Sequence, residues 1–289
     1  MRKKLSLLAT AATAALLLAG CSGADTPDTG SSDAPATGVS LTGSPTYDAM
    51  VEADTVRIGV KEDQPGLGFL DAGTGERSGF DIEIAKWVAE TLGFSEDKIE
   101  YIAIPSANRE SAIVNGDIDY YVGTYSITDK RKEQIDFAGP YFITGQGILV
   151  AADDESITSE NDLAGKTVCS ATGSTPIQNI KDNYPDTETE EFDTYSQCVE
   201  ALKDGQVDAV TTDQAILLGY ASQDPDNLKV VGEPFSVENY GVGLPKGDDA
   251  LRAYINDMFT DGNDTWQSIY DDTLGQSGTA VEQPAVDAY

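Results

Sequence analysis

The chain has 289 residues, with 18 Lys and Arg against 50 Asp and Glu, no His and three Cys, giving a formal net charge of −32. So acidic a surface repels nucleic acid and the anionic face of a bilayer. The absence of histidine excludes Ser-His-Asp, Cys-His and His-metal chemistry by their usual routes, and the scattered carboxylates form no compact oxygen-ligand loop, so neither metal nor cofactor is expected.

Arg2, Lys3 and Lys4 precede an apolar run over 5–18, shorter than the roughly 20 residues of a spanning helix, so residues 1–20 read as a processed leader. Removing its three basic residues leaves 15 basic against 50 acidic, a net of −35. Leu18-Ala19-Gly20-Cys21 resembles a bacterial lipobox, which would make Cys21 the lipidated first residue of the mature chain; an ordinary secretory signal with a chance cysteine is the alternative. The Gly/Ser/Thr/Asp/Pro-rich sequence that follows is too poor in large apolar groups to fold, and 21–53 reads as lipidated Cys plus flexible tether. Residues 54–273 suffice for two modest lobes or one larger core. The last stretch, 274–289, reads as a disordered tail.

Within the folded part, VRIGV at 56–60 is a strand running into the loop KEDQPGLGF. Asp81 reads as the N-cap of a helix with Ile84, Ala85, Val88, Ala89 and Leu92 on its apolar face, and Trp87 is placed in the lobe core. Strands at 99–104 and 118–122 bracket a short helix at 110–114, and a strand at 147–150 leads away from this sheet. A second series follows: strands near 166–169, 190–192, 207–211 and 228–231 alternate with helices near 176–183, 196–203 and 214–220. A strand at 240–244 and helices near 249–259 and 265–270 return to the first unit. This alternation predicts an α/β fold of two lobes joined by two crossings, with 54–146 and 237–273 in the first lobe and 147–236 in the second. No internal repeat of fixed period is visible. Cys169 and Cys198, in an extracellular compartment, form either a disulfide or two buried thiols.

Directly after the apolar strand IDYYV comes GTYSITDKRKEQIDFAGPYF, residues 123–142. Small polar residues at a strand end offer N–H and hydroxyl groups, and Arg131 adds a planar fork of donors, which together describe a receptor for a small anion.

The segments SGFDIEIAKWVAETLG, GDIDYYVGTYSITDKRKEQIDFAGPYF, DLAGKTVCSATGST and ALKDGQVDAVTTD resemble, in family order, the extracellular solute-binding proteins of family 3 that serve polar amino-acid ABC transporters. The resemblance implies a periplasmic-binding-protein type II (Venus flytrap) fold and a monomer that makes and breaks no bond. It would sit on the extracellular face of the cell membrane, touching it through the lipid anchor only, and hand its ligand to permease subunits driven by a cytoplasmic ATPase. It further implies Arg131 as anchor of the ligand α-carboxylate, with Thr124 and Ser126 contributing N–H or hydroxyl contacts and Ser174 and Thr175 capping the same group from a helix N-terminus. Gly123 would offer a carbonyl, and Asp213 a carboxylate, to the α-ammonium. Ser174, Thr175 and Asp213 could equally be plain helix caps. Gln64 stands where many members carry a stacking aromatic, which disfavours an aromatic ligand. Lys61 and Arg109, at first-lobe strand ends, suggest a site for a second carboxylate, and DQPGLGF, TYSITDKR and AVTTD resemble the glutamate-binding lipoproteins of actinobacterial transporters. The expected ligand is therefore L-glutamate, with aspartate and glutamine next. A sensory glutamate-binding module and a secreted enzyme similar to cyclohexadienyl dehydratase, with Glu62, Asp63 or Glu110 as acid, are the alternatives.

Overall fold

A computed structural model describes residues 38–277 and 281–289. The leader, Cys21 and most of the expected tether lie outside the described residues.

The chain first forms helix α1 (Pro45–Ala53), capped by the Ser44 hydroxyl on Tyr47 N–H at 3.0 Å. The expected tether thus ends earlier than residue 53: Tyr47 and Met50 are buried against the first sheet. Strand β1 (Val56–Val60) is followed by a small hairpin, β2 (Phe69–Leu70) and β3 (Arg77–Ser78), and by helix α2 (Phe80–Thr91). The N-cap of α2 is Gly79, at φ 115°, not Asp81. A Cβ at position 79 would lie 2.2 Å from the Leu67 carbonyl oxygen, so glycine permits the approach, and Asp81 is freed to turn inward. Trp87 is half-buried and packs edge-on against Phe259 at 5.6 Å, against the core of the lobe as its position in the helix predicts.

Next come β4 (Ile99–Ala103), α3 (Arg109–Val114), β5 (Tyr120–Tyr121), the short α4 (Asp129–Lys132) and β6 (Asp136–Thr144). The second lobe holds β7 (Gln146–Ala151), β8 (Thr167–Ala171), α5 (Thr175–Asn183), β9 (Glu188–Phe192), α6 (Tyr195–Lys203), β10 (Ala209–Asp213), α7 (Gln214–Gln223) and β11 (Leu228–Val231). Strand β12 (Glu238–Leu244) returns to the first lobe, which α8 (Asp249–Asp261) and α9 (Asn263–Asp272) complete.

The two sheets have orders β4-β1-β5-β12-β6 and β11-β7-β10-β8-β9. In each, parallel strands (β4, β1, β5; β9, β8, β10) meet one antiparallel neighbour, and that neighbour is the strand that has just crossed between lobes: β12 in the first, β7 in the second. The lobes therefore share an arrangement that no sequence repeat betrays. Both sheets direct the carboxyl ends of their parallel strands toward the seam between lobes, the place where open α/β sheets bind ligands. Cys169 in β8 and Cys198 in α6 form a disulfide with Cα atoms 5.5 Å apart.

Two further features were not foreseen in the sequence. Strand β6, to which the sequence reading assigned no element, contains Gly139-Pro140, a pair that commonly marks a turn; it is the edge strand of its sheet, where a missing N–H costs no ladder bond. Residues 281–289 also dock on the first lobe, contrary to the expected disorder. Val281 and Val286 pack on the core, Asp287 N–H donates to Gly139 O (2.9 Å), and Phe137 N–H donates to the Tyr289 hydroxyl (2.9 Å). The Tyr289 ring receives Lys132 Nζ at 3.8 Å and the Arg252 guanidinium at 4.6 Å. The tail covers outward-facing backbone groups of the edge strand, a role its polar composition conceals. Among the described residues, no helix is long and apolar enough to cross a membrane.

Candidate functional site

Loops at the carboxyl ends of β1, β4 and β5 bring three cations together in a chain that is otherwise strongly acidic. Lys61, Arg109 and Arg131 are 5%, 2% and 7% exposed, so none is a solvated surface group. Lys61 follows β1 directly, and its Nζ donates to Ser106 Oγ at 2.8 Å. Burial, reinforced by Arg109 nearby, lowers its pKa to about 7. Gly123 lies beside it; a Cβ there would meet Tyr121 Oη at 2.8 Å and Lys61 Cγ at 3.2 Å, so close packing alone requires glycine.

Arg109 Nε donates to Ser106 O at 3.1 Å, and one terminal nitrogen to Thr124 O at 3.3 Å, while its plane lies over Tyr125 at 4.3 Å. Arg131 is held at Nε by the Glu110 carboxylate (3.0 Å); its fork donates to Ser126 O (2.7 Å) and, across the seam, to Gly173 O (3.1 Å). Burial and the neighbouring Arg109 both lower the Arg131 pKa. Two guanidiniums therefore stack against one ring, since Arg131 lies 4.8 Å from the same Tyr125.

Thr124 sits in the left-handed region at φ 46°, uncommon for a residue of its shape. The conformation is fixed from several sides. Its N–H donates to Asp81 Oδ2 at 2.9 Å, its carbonyl accepts from Arg109, and its hydroxyl meets the buried Gln64 amide at 3.1 and 3.2 Å. Asp81 also accepts the Tyr141 hydroxyl at 2.8 Å, and burial raises its pKa to about 6 despite both bonds. Asp81 is thus a supporting residue that its reading as a helix cap hid.

The second lobe supplies the opposite wall. Gly173, at φ 77°, comes so close to the first lobe that a Cβ would lie 2.7 Å from Ala107 Cα. Ser174 spends its hydroxyl on the Ile177 N–H as N-cap of α5 (3.3 Å) and its own N–H on Ala171 O (3.1 Å). The capping alternative is therefore the geometry seen at Ser174. Thr175 instead faces the seam, its hydroxyl 2.9 Å from Glu238 Oε2 and 3.2 Å from Ser126 Oγ.

Asp213 ends β10 and is 2% exposed. It makes no side-chain capping bond to α7, which removes the plain-cap alternative. One oxygen accepts the Tyr240 hydroxyl across the lobes at 2.6 Å, while Oδ1 is buried without a hydrogen-bond partner. Burial first, then the charge of Glu238, raises its pKa to about 8. A buried polar oxygen without a partner is uncommon, and this one leaves room for a hydrogen-bond donor.

The residues expected from the sequence to bind the ligand lie on this seam or directly behind it. The sequence reading missed Asp81, Ser106, Tyr125, Glu238 and Tyr240, which orient those residues; Asp81 and Tyr125 lie inside segments already singled out, but only the folded arrangement shows what they support. Among the described residues, no group of His, Cys, Asp and Glu is arranged to hold a metal.

The model of the bacterial extracellular solute-binding proteins, family 3, matches residues 56–276. The chain is 42% identical over 249 residues to the glutamate-binding protein GluB of Corynebacterium glutamicum, covering 81% of this chain and 83% of that one. It is 41% identical over 230 residues to a glutamine-binding protein of Geobacillus stearothermophilus, covering 79% and 87%. Among solved structures it is similar to an ancestral arginine-binding protein bound to glutamine, with TM-score 0.70, 37% identity, and coverage of 76% of this chain and 98% of that one. These relatives are binding proteins, not enzymes.

Proposed function

We propose that this chain, which belongs to the bacterial extracellular solute-binding proteins of family 3, captures L-glutamate and delivers it to the permease of an ABC importer, anchored to the membrane through lipidated Cys21. The observation that carries this reading is the pairing of an unpartnered, buried Asp213 Oδ1 with three buried cations on the facing loops. That is a mould for a zwitterion with a surplus of negative charge. Arg131, steadied by Glu110 and aimed at the seam between Ser126 and Gly173, takes the α-carboxylate, with the Thr175 hydroxyl beside it. Asp213 takes the α-ammonium. Lys61 and Arg109, both fixed to Ser106, take the γ-carboxylate. The zwitterion then bridges the lobes, so occupancy favours closure by hinge movement at the two crossings.

Glutamine is the second reading. Its specific support is that Lys61, with a pKa lowered to about 7, has a neutral form at hand to accept a hydrogen bond from an amide. A thermal-shift screen over the common amino acids tests the proposal. A ligand at a thousandfold over its Kd adds about 4 kcal/mol, or ~8–16 °C for a domain of this size. Glutamate is expected to give the largest shift, and a largest shift from arginine would overturn the assignment.

A further inference from the structure

Next to the three cations the lobes meet at a second place, whose hydrogen bonds go to none of the groups assigned to the ligand, although the Asp63 charge there raises the pKa of nearby Lys61. Asp63, in the loop after β1, reaches across to two helices of the second lobe: its Oδ2 accepts Ser196 N–H at 3.1 Å and lies 3.2 Å from the Tyr220 hydroxyl, which also donates to the Asp63 carbonyl. We propose that Asp63 is a closure latch, a positioning residue that holds the shut lobes together and so sets how long an amino acid stays bound.

The local chemistry of α6 supports this. Its own capping box is complete: Thr194 Oγ1 accepts Gln197 N–H, and the Gln197 side chain returns to Thr194 N–H. Ser196 N–H, a first-turn donor with no place in the intrahelical ladder, is completed from the other lobe by a carboxylate, the charge that a helix N-terminus favours. Tyr220, on α7, is buried at the same contact. Beside it, a Cβ on Gly219 would lie 2.2 Å from the Pro65 carbonyl oxygen, so only glycine lets the loop 63–65 settle here. Two helices and one glycine thus receive a single loop. The grip is also transmitted: Cys198, two residues after Ser196, is bonded to Cys169 in β8, and β8 leads into Gly173 and Thr175. The latch therefore holds the same rigid unit that presents the anion-binding wall.

The proposal rests on amino-acid binding as assigned above but not on which amino acid binds. Stopped-flow association and dissociation would be measured on the purified chain and its variants with whichever of L-glutamate, L-glutamine, L-aspartate or L-arginine the parent binds. A wrong ligand name then overturns the functional reading while the comparison of rates stands. Asp63→Ala is expected to raise the dissociation rate about tenfold, the scale of a charge-assisted bond, with association within about threefold. Asp63→Asn, which keeps an acceptor oxygen, recovers part of the loss. Tyr220→Phe acts in the same direction, and the double variant loses less than the product of the two single losses. Unchanged dissociation in Asp63→Ala, or losses that multiply fully, would overturn the latch, as would a matching fall in the melting temperature of the ligand-free protein, which marks a general packing role. A parent that binds none of the four amino acids overturns both proposals.

Discussion

Replacing Asp213 by Asn keeps the shape and the acceptor for Tyr240 and removes only the charge. In the ligand-free protein the change costs little, because burial already raises the Asp213 pKa from 3.8 to about 8, so that the carboxyl is mostly protonated at neutral pH. In the complex it removes the one anion assigned to the α-ammonium. Losing one member of a buried, hydrogen-bonded charge pair costs roughly 2–5 kcal/mol, and about 2–4 kcal/mol corresponds to a ~30- to ~1,000-fold rise in Kd. The pH dependence has a definite sign. The folded carboxyl keeps its proton to about pH 8 and the unfolded one loses it near 3.8, so this group's stabilisation of the free fold is complete below pH 3.8 and is lost as pH rises through 8. Binding an ammonium expels that proton, which strengthens binding from about pH 6 to 8, while a γ-carboxylate draws a proton onto Lys61 and opposes this above about pH 7; Asp213→Asn loses the first limb and keeps the second. Calorimetry in buffers of different ionisation enthalpy, with melting of the free protein alongside, reads both effects. An Asp213→Asn protein that binds like the parent, or one that weakens only as its own melting temperature falls, would refute the reasoning.

Lys61→Met keeps the length of the side chain and removes its Nζ; it should weaken glutamate about tenfold more than glutamine, and an unchanged ratio of the two Kd values would remove Lys61 from the side-chain site. Cys169→Ser opens a loop with a sequence separation of 29, which corresponds to about 3–4 kcal/mol of chain entropy in the unfolded state. Thermal melting should show a fall of roughly 6–16 °C, and loss of less than about 1 kcal/mol would mean that packing alone holds α6 on β8. Gly173→Ala should be the informative glycine variant. Its Cβ meets Ala107 only when the lobes are together, so Kd rises at least tenfold while the free protein loses about 1 kcal/mol from the positive φ.

The sequence was most legible where one physical pattern served one element. Strand β1 and the helix carrying Ile84, Val88 and Leu92 follow from periodicity alone, and Arg131 stands out because it lies in a polar run after an apolar strand. Strand β6 was illegible because Gly139-Pro140 reads as a break unless the strand is known to be an edge. Asp81 read as a cap because a carboxylate at the start of a helix usually is one; only the close contact of Gly79 with Leu67 shows why the helix starts earlier. The tail was illegible for the opposite reason, since its anchoring is by a few contacts to an edge strand and not by a patterned apolar face. At the site, the strand-end residues were readable, but their supports were not: Tyr240 is distant in sequence, and Ser106 and Tyr125, though near Arg109 and Thr124 in the chain, give no sign there of the side chains they meet.

Side-by-side calorimetric titration with L-glutamate, L-glutamine, L-aspartate and L-arginine tests the central claim most directly. Three buried cations facing one open carboxylate oxygen predict that glutamate binds tightest and arginine weakest. Tightest binding by arginine would contradict the account, because its side-chain cation would have to lie against Lys61 and Arg109.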